Sequence, residues 1–331
     1  MRTPDNICLS TLRPTRGQSY SGGAVRMLWG GKRISPVLSF EQKVFADFRR
    51  DAAPRISLSG VQDKISLRLV NGVLVPTDRD GEFILKPVPR ALTGTLDFLD
   101  DVPANEHVTM QIAAQVFKLR SAACGLVFFP DGEPAYIVRR FDRDAATGKK
   151  LAQEDFCQLA GKSRGTHGEN YKYDGSYEEL GRLLQRFSPA WRVEAERLFT
   201  LIIFNYVCGN GDAHLKNFSL LETPFGDYSL SPAYDLLCTS LHLPAESRTA
   251  LEFFDDFVTP SFEINAFAKR SDFMELANRF GLRTPRATAI LDRFNSERPN
   301  VEALLDRSLL SAESKSRYRA LFADRLIALA D

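Results

Sequence analysis

The 331-residue chain has no run approaching the roughly 18 consecutive apolar residues that a membrane helix needs. Its opening, Met1-Arg-Thr-Pro-Asp-Asn6, carries no apolar signal core. These two absences leave a cytoplasmic protein that does not engage a membrane as the expectation. Cysteine is sparse as well. Cys8, Cys124, Cys157, Cys208 and Cys238 are scattered without CxxC spacing, which suits reduced thiols and excludes a disulfide framework or a zinc ribbon. The four histidines form no HxxxH or HExxH pattern. No excess of one charge exists: 43 basic residues face 42 acidic ones, for a net charge of +1. The chain as a whole therefore has no electrostatic pull toward nucleic acid, and direct contact with it is not expected. Internal repeats and low-complexity tracts are missing too.

What is present is the composition of a soluble globular protein, 44% hydrophobic and 26% charged. The length exceeds one ordinary core and suits two lobes. The first half is strand-rich. Ile65–Val70 alternates in polarity, Asn71-Gly72 follows, and Val73–Val75 resumes, the strongest short hairpin signal. Phe83–Leu85 predicts another strand, ending at Lys86-Pro87. The stretch 87–104 predicts a long irregular loop, and helical spacing sets in at Asn105. Leu126–Phe129 and Tyr136–Val138 flank Pro130-Asp-Gly-Glu-Pro134, a second hairpin. The second half is mainly helical. Ser176-x-x-Glu179 is a capping box, and Ser188-Pro189 predicts the start of a helix whose run Leu198–Val207 is apolar nearly all round. A small hairpin surrounds Pro224–Asp227. Thr284-Pro285 opens one more helix, and residues 311–330 form the last. The expectation is an α+β fold of two kinase-like lobes, residues 1–141 and 142–331, with a nucleotide cleft between them.

The chemistry concentrates in Gly211-Asp212-Ala-His-Leu-Lys-Asn217. Asp followed five positions later by Asn, on a loop after a buried helix, matches the D-x-x-x-x-N of kinase catalytic loops. In that chemistry the Asp takes or orients the acceptor hydroxyl proton, and the Asn reaches a magnesium on the ATP phosphates. A second carboxylate must hold the metal from the other side. Asp235, in Pro232-Ala-Tyr-Asp235 just past the small hairpin, stands where it is needed. The phosphates also require a cation, for which Lys86 is the candidate, with Glu106 at the next helix as its positioning partner. The phosphate-binding loop falls on Ser57-Leu-Ser-Gly-Val-Gln-Asp-Lys64. It has one glycine and is neither a Walker A nor a G-x-G-x-x-G loop, but its backbone amides can still meet phosphate and Lys64 adds charge. Taken singly, each of these residues is an ordinary loop or surface residue. His107 and His214 suit packing and hydrogen bonding better than proton transfer. The order of the set is what carries the kinase reading.

At this point the sequence resembles the HipA family of bacterial serine/threonine kinase toxins. The resemblance rests on Ile56–Lys64, Phe83–Pro87, Asn105-Glu106-His107, Arg140–Arg143, Gln153–Gln158, Gly211–Phe218 and Pro232–Asp235. It implies an ATP site at Ser59, Gly60, Val61, Gln62, Asp63, Lys64, Lys86, the hinge residues Arg139, Arg140 and Phe141, His214, Lys216, Asn217, Tyr234 and Asp235. Asn217 and Asp235 would hold Mg2+, Asp212 would be the proton acceptor, and Ser57 would be the serine at which the family inactivates itself. Only 56 residues precede Ser57, where typical relatives carry an extra subdomain, and Ser57 and Ser59 form a Ser-x-Ser pair. Both features look like HipT, the short kinase of three-component toxin–antitoxin systems. That likeness implies a small antitoxin protein supplying the missing subdomain, a DNA-binding third protein, and an aminoacyl-tRNA synthetase as substrate, the tryptophan enzyme favoured. On Ser57 or Ser59 a phosphate would add about −1.5 to −2 charge where ATP phosphates should sit.

Two other readings share part of the pattern. A small-molecule kinase of the aminoglycoside-phosphotransferase type also uses G-D-x-x-x-x-N and a later Asp, although the second half shows no acidic cluster for a polycationic acceptor. A nucleotide-gated binding module would keep the fold without the transfer, against which the full set of reactive residue types stands.

Overall fold

The computed structural model of the chain describes residues 6–43, 64–89, 96–144 and 147–330. A short helix, α1 (Gly22–Met27), is capped by the Ser21 hydroxyl and leads into buried Leu28 and Trp29. Strands β1 (Ile65–Val70) and β2 (Val73–Pro76) meet at Asn71-Gly72, whose φ angles are 50° and 81°. Positive φ at both positions is what a tight right-twisted hairpin demands, so this turn forms as its sequence predicts. Strand β3 (Phe83–Pro87) pairs with β1, Leu67 opposite Phe83. Helix α2 (Val102–Gln115) follows, and then β4 (Cys124–Phe128) and β5 (Pro134–Arg139) form the second hairpin. The antiparallel sheet runs β2-β1-β3-β5-β4.

Alternation along the strands sorts side chains between two cores. Phe83, Leu85, Ala135 and Ile137 face a core built with Leu9, Tyr20, Leu28 and Trp29. Tyr136 and Val138 face α2 and the larger core of the helical half. Lys86 lies on that second face because its neighbour Leu85 lies on the first.

Helix α2 starts at Val102, three residues before the expected Asn105, because Pro103 fits the unbonded first turn. It is buried almost all round, and its polar side chains act as hooks. His107 Nε2 sits 2.8 Å from the Ser10 carbonyl and Thr109 Oγ1 3.1 Å from Tyr318 Oη. Burial pushes the His107 imidazole down to about 4, so it is a neutral structural group, as its type suggests.

The helical half adds β6 (Gln153–Asp155), α3 (Phe156–Leu159), α4 (Arg164–His167), α5 (Tyr177–Phe187) and α6 (Trp191–Val207). Strands β7 (Ser219–Glu222) and β8 (Tyr228–Leu230) complete a small sheet in the order β6-β7-β8. Helices α7 (Pro260–Asn265), α8 (Arg270–Arg279), α9 (Thr284–Ser296), α10 (Arg298–Arg307) and α11 (Ala312–Ala330) close the chain. Ser176 caps α5 through the Glu179 amide at 2.9 Å, but the Glu179 carboxylate turns to Lys162 at 2.7 Å, so the expected capping box is only half made. Helix α6 begins at Trp191, not at Pro189: Ser188 ends α5, and its buried hydroxyl caps nothing. Within α6, Leu198, Phe199, Ile203 and Phe204 are fully buried, the spine that the apolar run predicts. Among the described residues no helix is long and apolar enough to cross a membrane.

Candidate active site

Helix α6 ends at Val207, and Gly209 (φ 71°) reverses the chain into the loop that carries Asp212 and Asn217. A Cβ on Gly211 would lie 2.5 Å from the Ser247 carbonyl oxygen and 2.6 Å from Glu246 Cδ. No side chain fits there, which explains a glycine directly before Asp212. The Gly211 amide donates to Thr239 Oγ1 at 2.7 Å, and a 3-10 turn over Leu215–Asn217 brings Asn217 back toward Asp212. One cavity of about 230 Å³ is lined by Lys64, Lys86, Glu106, Arg139, Arg140, Phe141, Asp212, Asn217, Tyr234 and Asp235. His214 and Lys216 line the wider groove that adjoins it, together with Asn217 and Asp235. Residues scattered over more than half of the sequence thus meet in one cleft. Ser57, Ser59, Gly60, Val61, Gln62 and Asp63 lie outside the described residues.

At the centre the Lys86 ammonium bridges two carboxylates, Glu106 Oε1 at 2.6 Å and Asp235 Oδ1 at 2.7 Å. Tyr136, opposite Lys86 across β3 and β5, places its ring centroid 5.6 Å from the ammonium. Burial opposes the charge on Lys86, but Asp235 and Glu106 outweigh it and hold the ammonium above its ordinary range. Burial pushes Glu106 up to about 7 despite the lysine. Burial also opposes ionisation of Asp235, yet Lys86, with help from Lys64, keeps that carboxyl below its ordinary value. Asp235 itself has φ 53°, a left-handed conformation uncommon outside glycine and concentrated at functional sites.

The other expected residues have definite anchors. Arg140 clasps Asp142 at 2.9 and 2.5 Å, and Phe141 lies against the Tyr234 ring with centroids 5.6 Å apart. Arg139 lines the cavity while its guanidinium donates to the Met27 carbonyl at 3.2 Å. The Tyr234 hydroxyl donates to the Lys216 carbonyl at 2.8 Å, and Lys216 Nζ pairs with Asp155 at 2.9 Å. Burial drives His214 down to about 4, Asp212 notwithstanding, so its imidazole is neutral at physiological pH.

Sequence reasoning missed three contacts. Asn105 grips the backbone of Cys238 on both sides, its amide donating to the carbonyl at 2.9 Å and its oxygen accepting from the N–H at 3.1 Å. Asn210 Nδ2 reaches Asn205 Oδ1 at 2.8 Å and the Asp235 carbonyl at 3.5 Å. The Tyr173 hydroxyl donates to Asp212 Oδ1. The Gly209-Asn-Gly211 turn hinted at Asn210; nothing periodic marked Tyr173.

The donor set suits a hard divalent cation. Asn217 Oδ1 is buried with no hydrogen-bond partner, and the Asp235 carboxylate is 38% exposed toward the cleft. Two oxygen donors leave the remaining positions to phosphate and water, the habit of magnesium at nucleotide sites. Among the described residues no group of three or more His, Cys, Asp or Glu side chains forms a closed metal cage.

The sequence profile of the HipA-like C-terminal domain matches residues 56–301. The chain belongs to this family. A relative in Haemophilus influenzae, named as a kinase, is 29% identical over 246 residues, 71% of this chain and 69% of its own length. The serine/threonine-protein kinase toxin HipA of Shewanella oneidensis is 28% identical over 270 residues, 72% of this chain but 58% of that protein. This HipA-like chain therefore spans little more than half of the Shewanella toxin. Among solved structures it resembles Shewanella HipA, described in complex with HipB and its operator DNA, at TM-score 0.64 and 22% identity over 85% of this chain and 67% of that one. The Helicobacter pylori kinase CtkA follows at TM-score 0.50 and 14% identity, covering 80% of this chain and 90% of that one. The α+β, two-lobed protein-kinase-like fold of HipA is thus the fold of this chain.

Proposed function

We propose that this HipA-like chain is an ATP- and magnesium-dependent serine/threonine protein kinase, the toxin of a bacterial toxin–antitoxin system. The observation that carries the reading is the Lys86 ammonium held between Glu106 and Asp235 in the cavity that also contains Asp212 and Asn217. That is the arrangement by which kinases position the phosphates and the attacking hydroxyl.

Each side chain then has a task. Lys86, steered by Glu106, pairs with ATP phosphate oxygens, and Lys64 adds positive charge from the rim. Asn217 and Asp235 supply oxygen ligands for magnesium, which when bound neutralises charge on the phosphates. Asp212 receives the proton of the acceptor hydroxyl. Phe141 and Tyr234, with Arg139 and Arg140, form the hinge side of the nucleotide site. The loop serines Ser57 and Ser59 are the proposed self-inactivation sites.

The partners follow from the resemblance to the short HipT kinases and from the Shewanella complex with HipB and DNA. They are a small antitoxin providing a further N-terminal subdomain and a DNA-binding protein. The proposed substrate is an aminoacyl-tRNA synthetase, the tryptophan enzyme first, whose phosphorylation would stop translation. The test is a phosphoproteomic comparison of cells expressing the wild type and Asp212→Asn. General acid–base groups contribute about 10²–10⁴-fold, so sites in the wild-type sample should vanish with the variant while ATP binding persists. Identical phosphorylation in both samples would sink the assignment.

A further inference from the structure

Asp212 is only 9% exposed, although a base that serves an incoming protein must be reachable. What meets its carboxylate is a phenol: Tyr173 Oη donates to Asp212 Oδ1. The hydroxyl thus occupies the position that an acceptor takes in a kinase, within hydrogen-bond reach of the proposed base. Its surroundings hold it there. The Tyr173 ring stands edge-on to His214 at 5.2 Å between centroids, and the Leu215 amide donates to the Lys172 carbonyl at 3.0 Å. Tyr173 also lines the groove shared by Lys64, Asn217 and Asp235, so the phenol opens onto the same space as the groups assigned to the phosphates.

We propose that Tyr173 is an intramolecular phosphoacceptor, modified by the chain's own site. The inference rests on the kinase reading above. The Tyr173 oxygen attacks the γ-phosphorus of ATP as its proton passes to Asp212. The bond between that phosphorus and the β,γ-bridging oxygen breaks, ADP leaves with the electron pair, and Asp212 returns the proton to solvent. The product carries about −1.5 to −2 charge beside the Asp212 carboxylate, so repulsion drives the residue off the base. Lys64, Lys150 and Lys172 line the groove that receives it.

The full chain is incubated with γ-labelled ATP and magnesium, beside Asp212→Asn and Tyr173→Phe, and the peptide containing residue 173 is analysed by mass spectrometry. Thermal melts and ATP binding check that both variants fold. Phosphotyrosine at 173 is expected in the wild type, at a rate unchanged by dilution, and absent from Asp212→Asn. Tyr173→Phe should incorporate less phosphate. Phosphate on other residues with none on Tyr173 overturns the inference and leaves the kinase reading intact. Labelling that slows on dilution, or that survives Asp212→Asn, also overturns it. No phosphate on any residue, together with no ATP turnover, removes the kinase reading itself.

Discussion

Replacing Lys86 with Met tests the centre of the site on two scales at once. The ammonium is shared by Glu106, 1% exposed, and Asp235, whose side chain is 38% exposed. Losing one partner of a buried ion pair costs about 3–5 kcal/mol, because a charge stays buried without compensation. Most of that falls on Glu106, since solvent screens Asp235. Glu106 already sits near 7, against an ordinary 4.5, and without the ammonium it moves higher. An acid whose folded value is raised weakens the fold as pH climbs above its unfolded value, because the unfolded chain ionises first. The loss in Lys86→Met should therefore be about 3 kcal/mol at pH 8 and smaller by roughly 1 kcal/mol at pH 6, where Glu106 keeps its proton in the variant and mostly keeps it in the wild type. The double variant Lys86→Met, Glu106→Met removes the stranded charge and should regain stability to within about 1 kcal/mol of the wild type. Phosphate transfer should stay down by about 10²–10³-fold in both, the usual cost of removing one preorganised electrostatic group. Urea titrations at the two pH values, followed by tryptophan fluorescence, give the first quantity and labelled ATP the second. A single variant as stable as the wild type at pH 8, or a double variant that transfers phosphate at the wild-type rate, refutes the argument.

Two further outcomes follow from the same geometry. Gly211→Ala places a Cβ 2.5 Å from the Ser247 carbonyl oxygen and should destabilise by about 1–3 kcal/mol. It should reduce phosphate transfer more than ATP affinity, which parallel melts and nucleotide titrations would show. His107 titrates near 4 in the fold against an ordinary 6.5, so the stability it gives above pH 6.5 is lost as pH falls toward 4. The stability gap between the wild type and His107→Gln should shift against the wild type by up to roughly 3 kcal/mol across that window; a gap independent of pH in denaturation series would contradict the assignment.

The parts of the site legible in the sequence are those whose geometry is local. Asp212 and Asn217 share one loop and one turn, so their spacing alone brings them together. Lys86 follows from strand alternation, since any residue after Leu85 must face the other side of the sheet. Glu106 was legible as the acid of the next helix. Illegible were contacts made by residues whose local pattern says nothing. Gln153–Asp155 is wholly polar yet forms β6 against β7, because a three-residue edge strand needs no hydrophobic alternation when its partner supplies the hydrogen bonds. The segment holding Tyr173 has neither helical nor strand period, so its meeting with Asp212 depends on tertiary packing alone. Helix starts slipped for a similar reason. Pro103 reads as a loop residue and Pro189 as a first-turn proline, yet Pro103 sits in the first turn of α2 while α6 starts beyond Pro189, at Trp191.

Asn105 and Glu106 show how this fold turns adjacency in sequence into coupling across the cleft. Both are buried on α2, yet they serve different targets: Glu106 binds Lys86, while Asn105 pairs with the N–H and carbonyl of Cys238, three residues beyond Asp235. One rigid helix therefore fixes the lysine and the backbone that aims Asp235 at it. The second anchor, from Asn210 to the Asp235 carbonyl, ties the same residue to the Asp212 loop. A left-handed conformation at a non-glycine residue costs on the order of 1–3 kcal/mol and persists only where its surroundings over-determine it. The clamps from Asn105 and Asn210 are such surroundings. They explain why an aspartate with φ 53° stands where the proposed chemistry calls for a carboxylate, and why the two halves of the cleft cannot shift independently without breaking the Lys86 bridge.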